Sequence, residues 1–281
     1  MKSHLKSLAF RVCPQRAQHL QAAAQRWHVR RVERRIGISR VRDVFVSRYG
    51  TDVLAGPFRG MKYVRRSTGS TIVPKLIGSY EMELGPWLRE VCSRDYRVVI
   101  DVGCAEGYYA IGLARSLLSA AVYAFDIDPL ARRLCSQMAR LNGVANRVKV
   151  FGECTTKLLN EILVPASLVV SDCEGAEESL LDLNQAPSLR EADIIVELHD
   201  HLLPGETQRF MDRFAATHTI ALVTQQERAA LAFQHLDFLS PPDRKLALSE
   251  MRSCRQHWAF MRSNSFRATS QGIPYALNAE E

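Results

Sequence analysis

One stretch, Arg97 to Arg115, constrains the fold of this chain more than any other. Its apolar run, Val98-Val99-Ile100, is typical of a buried strand and ends on Asp101. A glycine-bounded turn from Gly103 to Gly107 follows, and apolar residues at helical spacing come next. The stretch therefore predicts a strand, a glycine turn and a helix. Such a turn offers a ligand free backbone N–H groups beside one fixed carboxylate.

The glycine pattern argues against dinucleotide binding. A pyrophosphate cradle needs G-x-G-x-x-G, in which the second glycine lets the phosphates approach the backbone. Here Ala105 stands at that place, and the pattern is D-x-G-x-x-x-G. Asp101 would repel phosphates but suits a ligand with an ammonium or sulfonium charge. The pattern resembles motif I of the class I S-adenosylmethionine (SAM)-dependent methyltransferases. A tight turn whose glycines serve geometry alone is the alternative.

Strand and helix patterns alternate regularly after Arg97. We predict an α/β fold: a doubly wound, mainly parallel seven-stranded sheet, Rossmann-like as in class I methyltransferases. Polar side chains fall at or just after the ends of the predicted strands, and these are Asp101, Asp126, Glu153, Asp172 and His199. Ligands of such sheets bind beyond the carboxyl ends of the strands. We therefore expect these five side chains to converge on one crevice.

The chain divides into four predicted regions: a basic helical extension (1–42), a small β-rich cap or lid (43–78), the SAM-binding methyltransferase domain (79–262) and a disordered tail (263–281). The formal net charge of +7 comes from the first fifty residues, where 12 Lys or Arg face two acids. The extension is interpreted as a solvated helical segment. An organelle transit peptide and a patch for anionic lipid or nucleic acid remain alternatives.

Composition excludes several classes of protein. No apolar run approaches the ~18 residues that a membrane helix needs, and the seven cysteines are scattered without a C-x-x-C pair. We predict a cytoplasmic protein with no transmembrane segment and no metal ligands. We expect no nucleic acid partner, because Asp172 and Glu174 would repel a phosphate backbone. The oligomeric state is left open.

Asp126 is the predicted ribose ligand. It lies 23 residues after Gly103 at the end of the second predicted strand, where a carboxylate can accept both ribose hydroxyls. Asp128 is the better N-cap for the helix that begins at Pro129, which leaves Asp126 for the ligand. Glu153 is placed to accept from the adenine amino group, with an exposed loop acid as the alternative.

Two later segments carry a closer resemblance. Ser171 to Glu177 (SDCEGAE) and Ala192 to His199 (ADIIVELH) closely resemble the FkbM-type SAM-dependent O-methyltransferases. The strand-turn-helix stretch, VYAFDIDP and Gly78-Ser-Tyr-Glu81 look like the same family. The resemblance covers roughly 60 to 261 and leaves out the basic N-terminus. Asp126 stands where the family commonly has glutamate, and Cys104 where it commonly has alanine.

The resemblance implies methyl transfer to a hydroxyl of a small-molecule, sugar or lipid-like acceptor. The protein must align donor and acceptor and remove a proton. His199 is the first candidate for the general base, since its ordinary pKa lies near neutrality. Asp172 and Glu174 are reserve bases, or they orient the acceptor, and a strand-end histidine bonded to backbone is the plain alternative. Glu177 is expected to begin the next helix, where its charge suits the dipole.

The predicted SAM-binding residues are Tyr80, Glu81, Asp101, Gly103, Cys104, Ala105, Gly107, Asp126, Ile127, Glu153 and Asp172. Tyr80 and Glu81 precede the first strand, at the start of a helix that Ser79 is expected to cap. The alternative is that Gly85-Pro86 delays the start of this helix to Pro86.

Three other functions remain open. Asp172 with Asp200 or Glu197 would hold Mg²⁺ in a metal-dependent, catechol-type O-methyltransferase, but the typical Asp-Asn pair after the fifth strand is missing. Nucleobase methylation usually goes with Asn/Asp-Pro-Pro-aromatic, and here that place reads Asp-Cys-Glu-Gly. The third function is that of a binding module, in which the SAM pocket is vestigial and the basic arm engages lipid or nucleic acid. The intact acids and glycines argue against it.

Overall fold

The computed structural model describes residues 31–229, 232–252 and 254–266, and a seven-stranded sheet organises them. The strands are β1 (Val98–Val102), β2 (Ala121–Phe125), β3 (Val148–Phe151), β4 (Ser167–Ser171), β5 (Asp193–Leu198), β6 (His218–Thr224) and β7 (His257–Ser263). Their order across the sheet is β3-β2-β1-β4-β5-β7-β6. Strands β1 to β5 pair in parallel, and β7 runs antiparallel to β5 and β6. The predicted mainly parallel sheet is confirmed.

Helices connect and cover the strands. The α-helices are α1 (Ile38–Tyr49), α2 (Ile72–Ile77), α3 (Gly85–Cys92), α4 (Tyr108–Ser116), α5 (Pro129–Leu141), α6 (Thr156–Ile162), α7 (Glu177–Leu180), α8 (Glu206–Phe214) and α9 (Pro241–Ala247). Short 3-10 segments lie at Met82–Leu84, Pro187–Glu191 and Gln234–Leu236. Among the described helices, none combines the length and the apolarity needed to cross a bilayer.

The central strands are buried on both faces, as parallel sheets require. Every residue of β1, β4 and β5 is buried. Side chains alternate along β1: Val98, Ile100 and Val102 enter one apolar layer, whereas Val99 enters the other. The chain leaves β1 toward β2 and returns on the other side at β4, so the crevice at the switch point lies between the carboxyl ends of β1 and β4.

The prediction of a β-rich cap over residues 43–78 is wrong in its secondary structure. Its first residues belong to α1, which buries Val41 and Phe45 one turn apart, and α2 occupies its end. Residues 50–71 form a loop, called the cap loop below, whose described β structure is one isolated bridge between Asp52 and Lys62. The alternating apolar residues in this loop reflect burial against the domain, because tertiary packing outweighs local strand propensity. The predicted boundary at 42/43 falls inside α1.

Two smaller expectations also differ from the structure. Ser79 caps no helix: the next segment is the 3-10 turn Met82–Leu84, α3 begins at Gly85, and the Ser79 hydroxyl is buried without a hydrogen-bond partner in the described chain. Ser263 belongs to β7, and 264–266 are helical, with the Phe266 ring stacked on Tyr96 at 5.5 Å. The rest of the predicted tail and residues 1–30 of the basic extension lie outside the described residues.

Candidate active site

The glycine turn packs directly against the end of β4. The backbone N–H groups of Gly103 and Cys104 both donate to the carbonyl oxygen of Phe125, each at 2.9 Å. Gly103 has a φ of 83°, and a Cβ built there would lie 1.6 Å from the carbonyl oxygen of Asp172. Only glycine fits this position. Asp101, at the end of β1, accepts from the backbone N–H of Ala110 at 2.8 Å and is thereby held at the start of α4.

Asp126 is fixed beside the same turn. Its Oδ2 accepts from the backbone N–H of Ala105 at 2.9 Å, and its Oδ1 accepts from that of Asp128 at 2.7 Å. Each carboxylate oxygen keeps a second acceptor position, which a ribose hydroxyl could use. Asp128 caps α5 through Leu130 at 2.9 Å, as predicted.

Two exposed apolar side chains flank Asp126. Ile127 is 49% exposed and Phe151, at the end of β3, is 40% exposed. The backbone N–H of Asp126 donates to the Phe151 carbonyl at 3.2 Å, which keeps the two strand ends together. Exposed apolar side chains suit contact with a flat purine base when a carboxylate that can accept hydrogen bonds from ribose hydroxyls lies beside them. Sequence analysis missed Phe151, although an aromatic residue closing an edge strand was the available signal. Glu153 is exposed, and its adenine role stays a prediction.

The strand-end acids form one electrostatic group. Burial, together with the charges of Asp172, Asp126 and Glu81, raises the pKa of Asp101 to about 7, although the hydrogen bond from Ala110 lowers it. Burial raises the pKa of Asp126 as well. The structure therefore brings Asp101, Asp126 and Asp172 to one edge of the sheet, where a cationic ligand would relieve their repulsion.

A distant arginine holds Glu81 at this edge, and its guanidinium lies 5.8 Å from the centre of the Tyr80 ring. Arg252 forms ion pairs with the carboxylates of Glu81, Glu197 and Glu250. The Tyr109 hydroxyl donates to Glu81, and burial raises the pKa of Tyr80 well above its usual value. Sequence reasoning did not find Arg252, because no local pattern links it to a segment about 170 residues away.

His199 lies at the centre of a second group, at the ends of β4 and β5. The ring is 1% exposed, and its Nδ1 lies 3.0 Å from Glu177 Oε1. Its Nε2 faces three carboxylates, at 3.6 Å from Asp172 Oδ1, 3.8 Å from Glu197 Oε1 and 3.9 Å from Glu174 Oε2. Glu177 itself is buried at the start of α7, and its two oxygens accept from the backbone N–H groups of Cys173 (2.7 Å) and Gly175 (2.8 Å). The expected helix-dipole role of Glu177 is thus incomplete, because its carboxylate also lies against the His199 ring, at 3.0 Å from Nδ1 but without hydrogen-bond geometry.

These contacts and burial raise the pKa values of two titratable groups, His199 and Asp172. Burial alone would lower the pKa of His199, but the contact with Glu177 and the charges of Asp172 and Glu174 raise it overall. Burial raises the pKa of Asp172 to about 7, with Glu81 and Glu174 adding to the shift. Asp172 Oδ1 is buried without a hydrogen-bond partner in the described chain. Titratable groups with shifted pKa values at a strand-end crevice are candidates for proton transfer.

The central part of this chain is similar in sequence to a known protein family. Residues 86–172 match the family model of ribosomal protein L11 methyltransferase (PrmA). The ribosomal protein L11 methyltransferase of Psychrobacter arcticus is 47% identical over 66 residues, covering 23% of this chain and 20% of that protein. That of Acinetobacter baumannii is 46% identical over 65 residues, covering 23% and 21%. The chain thus matches about a fifth of the length of these curated relatives.

The solved structure of the delta-N METTL16 MTase domain covers 82% of this chain and 97% of its own, with a TM-score of 0.50 and 13% identity. This chain therefore has the fold of the class I SAM-dependent methyltransferases. The matched family model is not of the FkbM type. It ends at Asp172, so it includes the glycine turn and Asp126 but not Glu174 or His199.

A further cluster of hydrogen bonds joins the cap loop to the glycine turn. Glu106 is buried inside the turn, and Lys75 of α2 donates to its Oε1 at 2.5 Å. The hydroxyls of Tyr63 and Ser67 donate to Oε1, each at 2.6 Å, and the Thr68 N–H donates to Oε2 at 2.8 Å. Burial would raise the pKa of Glu106, but Lys75, Ser67 and Thr68 together outweigh it and the pKa is lowered. The cap loop therefore closes over the turn, a role for Glu106 that sequence analysis did not assign.

One set of side chains at the ends of β4 and β5 also has the spacing of metal ligands. Single ligand atoms of Asp172, Glu177 and His199 all lie within 4.8 Å of one another. Carboxylate and imidazole ligands suit divalent first-row metals. The sequence predicted no metal ligands, and this cluster therefore adds a candidate cation site.

Proposed function

We propose that this protein transfers the methyl group of SAM to a hydroxyl of an acceptor bound beside His199. The observation that carries the proposal is the position of the His199 ring. Glu177 lies against its Nδ1 while its Nε2 faces Asp172, at the crevice that the glycine turn borders. A donor site at the end of β1 and a base at the end of β5 then share one edge of the sheet. The acceptor classes are those of the FkbM-type resemblance: a small molecule, a sugar or a lipid-like compound.

On the donor side, Asp126 accepts the ribose hydroxyls and the exposed faces of Ile127 and Phe151 cover the adenine. The carboxylates of Asp101, Asp172 and Glu81 offset the positive charges of the amino acid and sulfonium groups. Burial and mutual repulsion raise the pKa of Asp101 and of Asp172 to about 7, and a bound cation removes part of that cost.

On the acceptor side, the hydroxyl oxygen attacks the methyl carbon in line with the departing sulfur. The carbon–sulfur bond breaks, the sulfonium becomes a neutral thioether, and the hydroxyl proton passes to His199 Nε2. Glu177 orients the ring and stabilises the imidazolium that forms. Asp172 and Glu174, which lie near Nε2, orient the acceptor.

Titration calorimetry with SAM tests the donor site. Asp126→Ala removes two charged acceptor atoms, and charge-assisted hydrogen bonds contribute about 1.5–3 kcal/mol. We expect SAM affinity to fall roughly 10- to 150-fold. Asp128→Ala is the matched control, since it removes a helix cap two residues away and should leave SAM affinity nearly unchanged. Equal affinities for wild type and Asp126→Ala would refute the ribose assignment.

A screen of hydroxyl compounds with methyl-labelled SAM tests the chemistry. His199→Gln should keep SAM affinity and lose turnover. Because Glu177 and nearby acids raise the pKa of His199, the wild-type rate should climb with pH through a value above 6.5. Glu177→Gln should move that rise to lower pH, which a purely structural role would not do. Full turnover by His199→Gln would remove His199 as the base.

Two observations support a second mechanism and a further acceptor, which the same screen tests. The ligand spacing of Asp172, Glu177 and His199 favours a metal-dependent O-methyltransferase as the second candidate. Chelation should then abolish turnover and Mg²⁺ or Mn²⁺ should restore it, whereas the base mechanism is insensitive to chelator. The matched relatives are named for ribosomal protein L11, so that protein belongs in the screen. A cytoplasmic location stays a prediction.

A further inference from the structure

One face of the molecule is built from acid-free sequence. Residues 53–80, 107–125 and 129–152 contain no Asp or Glu. They supply most of the cap loop with α2, then α4 with β2, then α5 with β3. The three stretches pack together, because Phe58 fills the space beside Gly112 of α4 and Lys62 exchanges backbone hydrogen bonds with the Asn142 side chain at the end of α5. Their positive charges are therefore gathered on one side of the fold.

The cap loop carries the densest part of this charge. Arg59, Lys62, Arg65 and Arg66, called the basic strip here, are all exposed. Within the described ranges, no carboxylate forms an ion pair with any of them. The nearest acid along the chain is Asp52, whose backbone bridges that of Lys62. Exposed Arg133 and Arg140 on α5 extend the same positive surface.

The strip leads to the methyl-donor turn. Lys62 lies beside Asn142 at the far end of α5, whereas Arg65 and Arg66 directly precede Ser67, whose hydroxyl lies 2.6 Å from Glu106 in the glycine turn. Eight residues of fully extended chain reach at most about 28 Å, which is the upper limit on the length of the strip. A chain of anionic groups bound along it would end next to the predicted SAM site.

We propose that the basic strip binds the phosphate backbone of a single-stranded nucleic acid. Arginine and lysine side chains without acidic partners neutralise phosphates, and arginine binds them through two parallel hydrogen bonds. An anionic membrane fits less well, because interfacial segments insert apolar side chains between their cations. Here Met61, Tyr63 and Val64, which lie between the strip cations in sequence, are all buried. The acids that argued against nucleic acid, Asp172 and Glu174, lie at the acceptor site and not on the strip.

Fluorescence anisotropy with a labelled oligouridylate of about 20 nucleotides tests the strip. Arg65→Gln/Arg66→Gln should lower the slope of log K against log salt by about 1.4, because each lost phosphate contact on a single strand removes about 0.7. The matched control is Arg89→Gln/Lys245→Gln, which removes two exposed cations from α3 and α9, outside the acid-free stretches. The control should keep the wild-type slope.

Three results would overturn the proposal: an unchanged slope in the strip variant, an equal loss in the control, or wild-type binding to phosphatidylserine vesicles with none to the oligonucleotide. SAM affinity should be the same in all variants, which verifies folding. Because the proposal goes beyond the methyl-transfer function, loss of oligonucleotide binding with SAM binding intact counts against the strip alone.

Discussion

The buried ion pair between Lys75 and Glu106 gives the sharpest energetic prediction. Lys75 is 2% exposed and Glu106 is fully buried. Glu106 accepts from Lys75, Tyr63, Ser67 and Thr68, whereas Lys75 contacts only Ser67 at 3.1 Å and the Tyr80 ring at 4.9 Å besides its carboxylate, as far as the described contacts show. The Glu106 carboxylate therefore has more hydrogen-bond partners besides the ion pair than the Lys75 ammonium has.

This asymmetry predicts unequal costs for removing either partner. Glu106→Gln leaves the ammonium buried without a counter-charge, and breaking a buried pair in this way costs about 3–5 kcal/mol. Lys75→Met keeps the volume and leaves Glu106 with its hydroxyl and backbone donors, so we expect about 1–3 kcal/mol. The double variant leaves neither charge buried. Its cost should fall short of the sum of the single costs by about 1–3 kcal/mol.

Urea unfolding followed by circular dichroism at several pH values measures these costs. In the wild type the pKa of Glu106 is lowered, so its contribution is present above the unfolded pKa of about 4.3 and is lost as the pH falls through the folded pKa. Lys75→Met removes the main cause of that lowering, so burial should raise the folded pKa and stability should fall as the pH rises. A smaller cost for Glu106→Gln than for Lys75→Met, or strictly additive costs, would refute the reasoning.

Two further predictions concern the glycine turn and its acids. With the pKa of Asp101 raised to about 7, that carboxyl is about half protonated at pH 7. Binding of cationic SAM should release up to about 0.5 proton from Asp101, and the measured binding enthalpy should therefore differ between Tris and phosphate buffers. Asp101→Asn should lose this part of the buffer dependence. A binding enthalpy that is the same in both buffers would contradict the assignment. Gly103→Ala should abolish SAM binding and lower the melting temperature by several degrees, because its Cβ would lie 1.6 Å from the Asp172 carbonyl. Gly152→Ala is the control, since the nearest atom to its Cβ lies at 4.0 Å, and equal melting temperatures for both variants would refute the close approach.

The sheet and the grouping of the strand-end acids were predictable because their signals are local. An apolar run such as Val98-Val99-Ile100 marks a strand buried on both faces, and parallel strands place their carboxyl ends at one edge. Acids at strand ends, such as Asp101 and Asp126, then meet without any knowledge of side-chain packing. The N-cap of Asp128 was predictable for the same reason, since it depends on residues within a few positions.

The cap loop and the environment of His199 were decided by the tertiary structure. Phe58 and Met61 have the sequence spacing of strand residues, but in the structure they are buried core residues of a loop. Phe58 fills the space beside Gly112. The contacts between Glu177 and His199, Lys75 and Glu106, and Arg252 and Glu81 join residues 22, 31 and 171 positions apart. No periodicity encodes such pairs. They form because burial makes an unpaired charge costly, and only the packed chain shows which opposite charge is within reach.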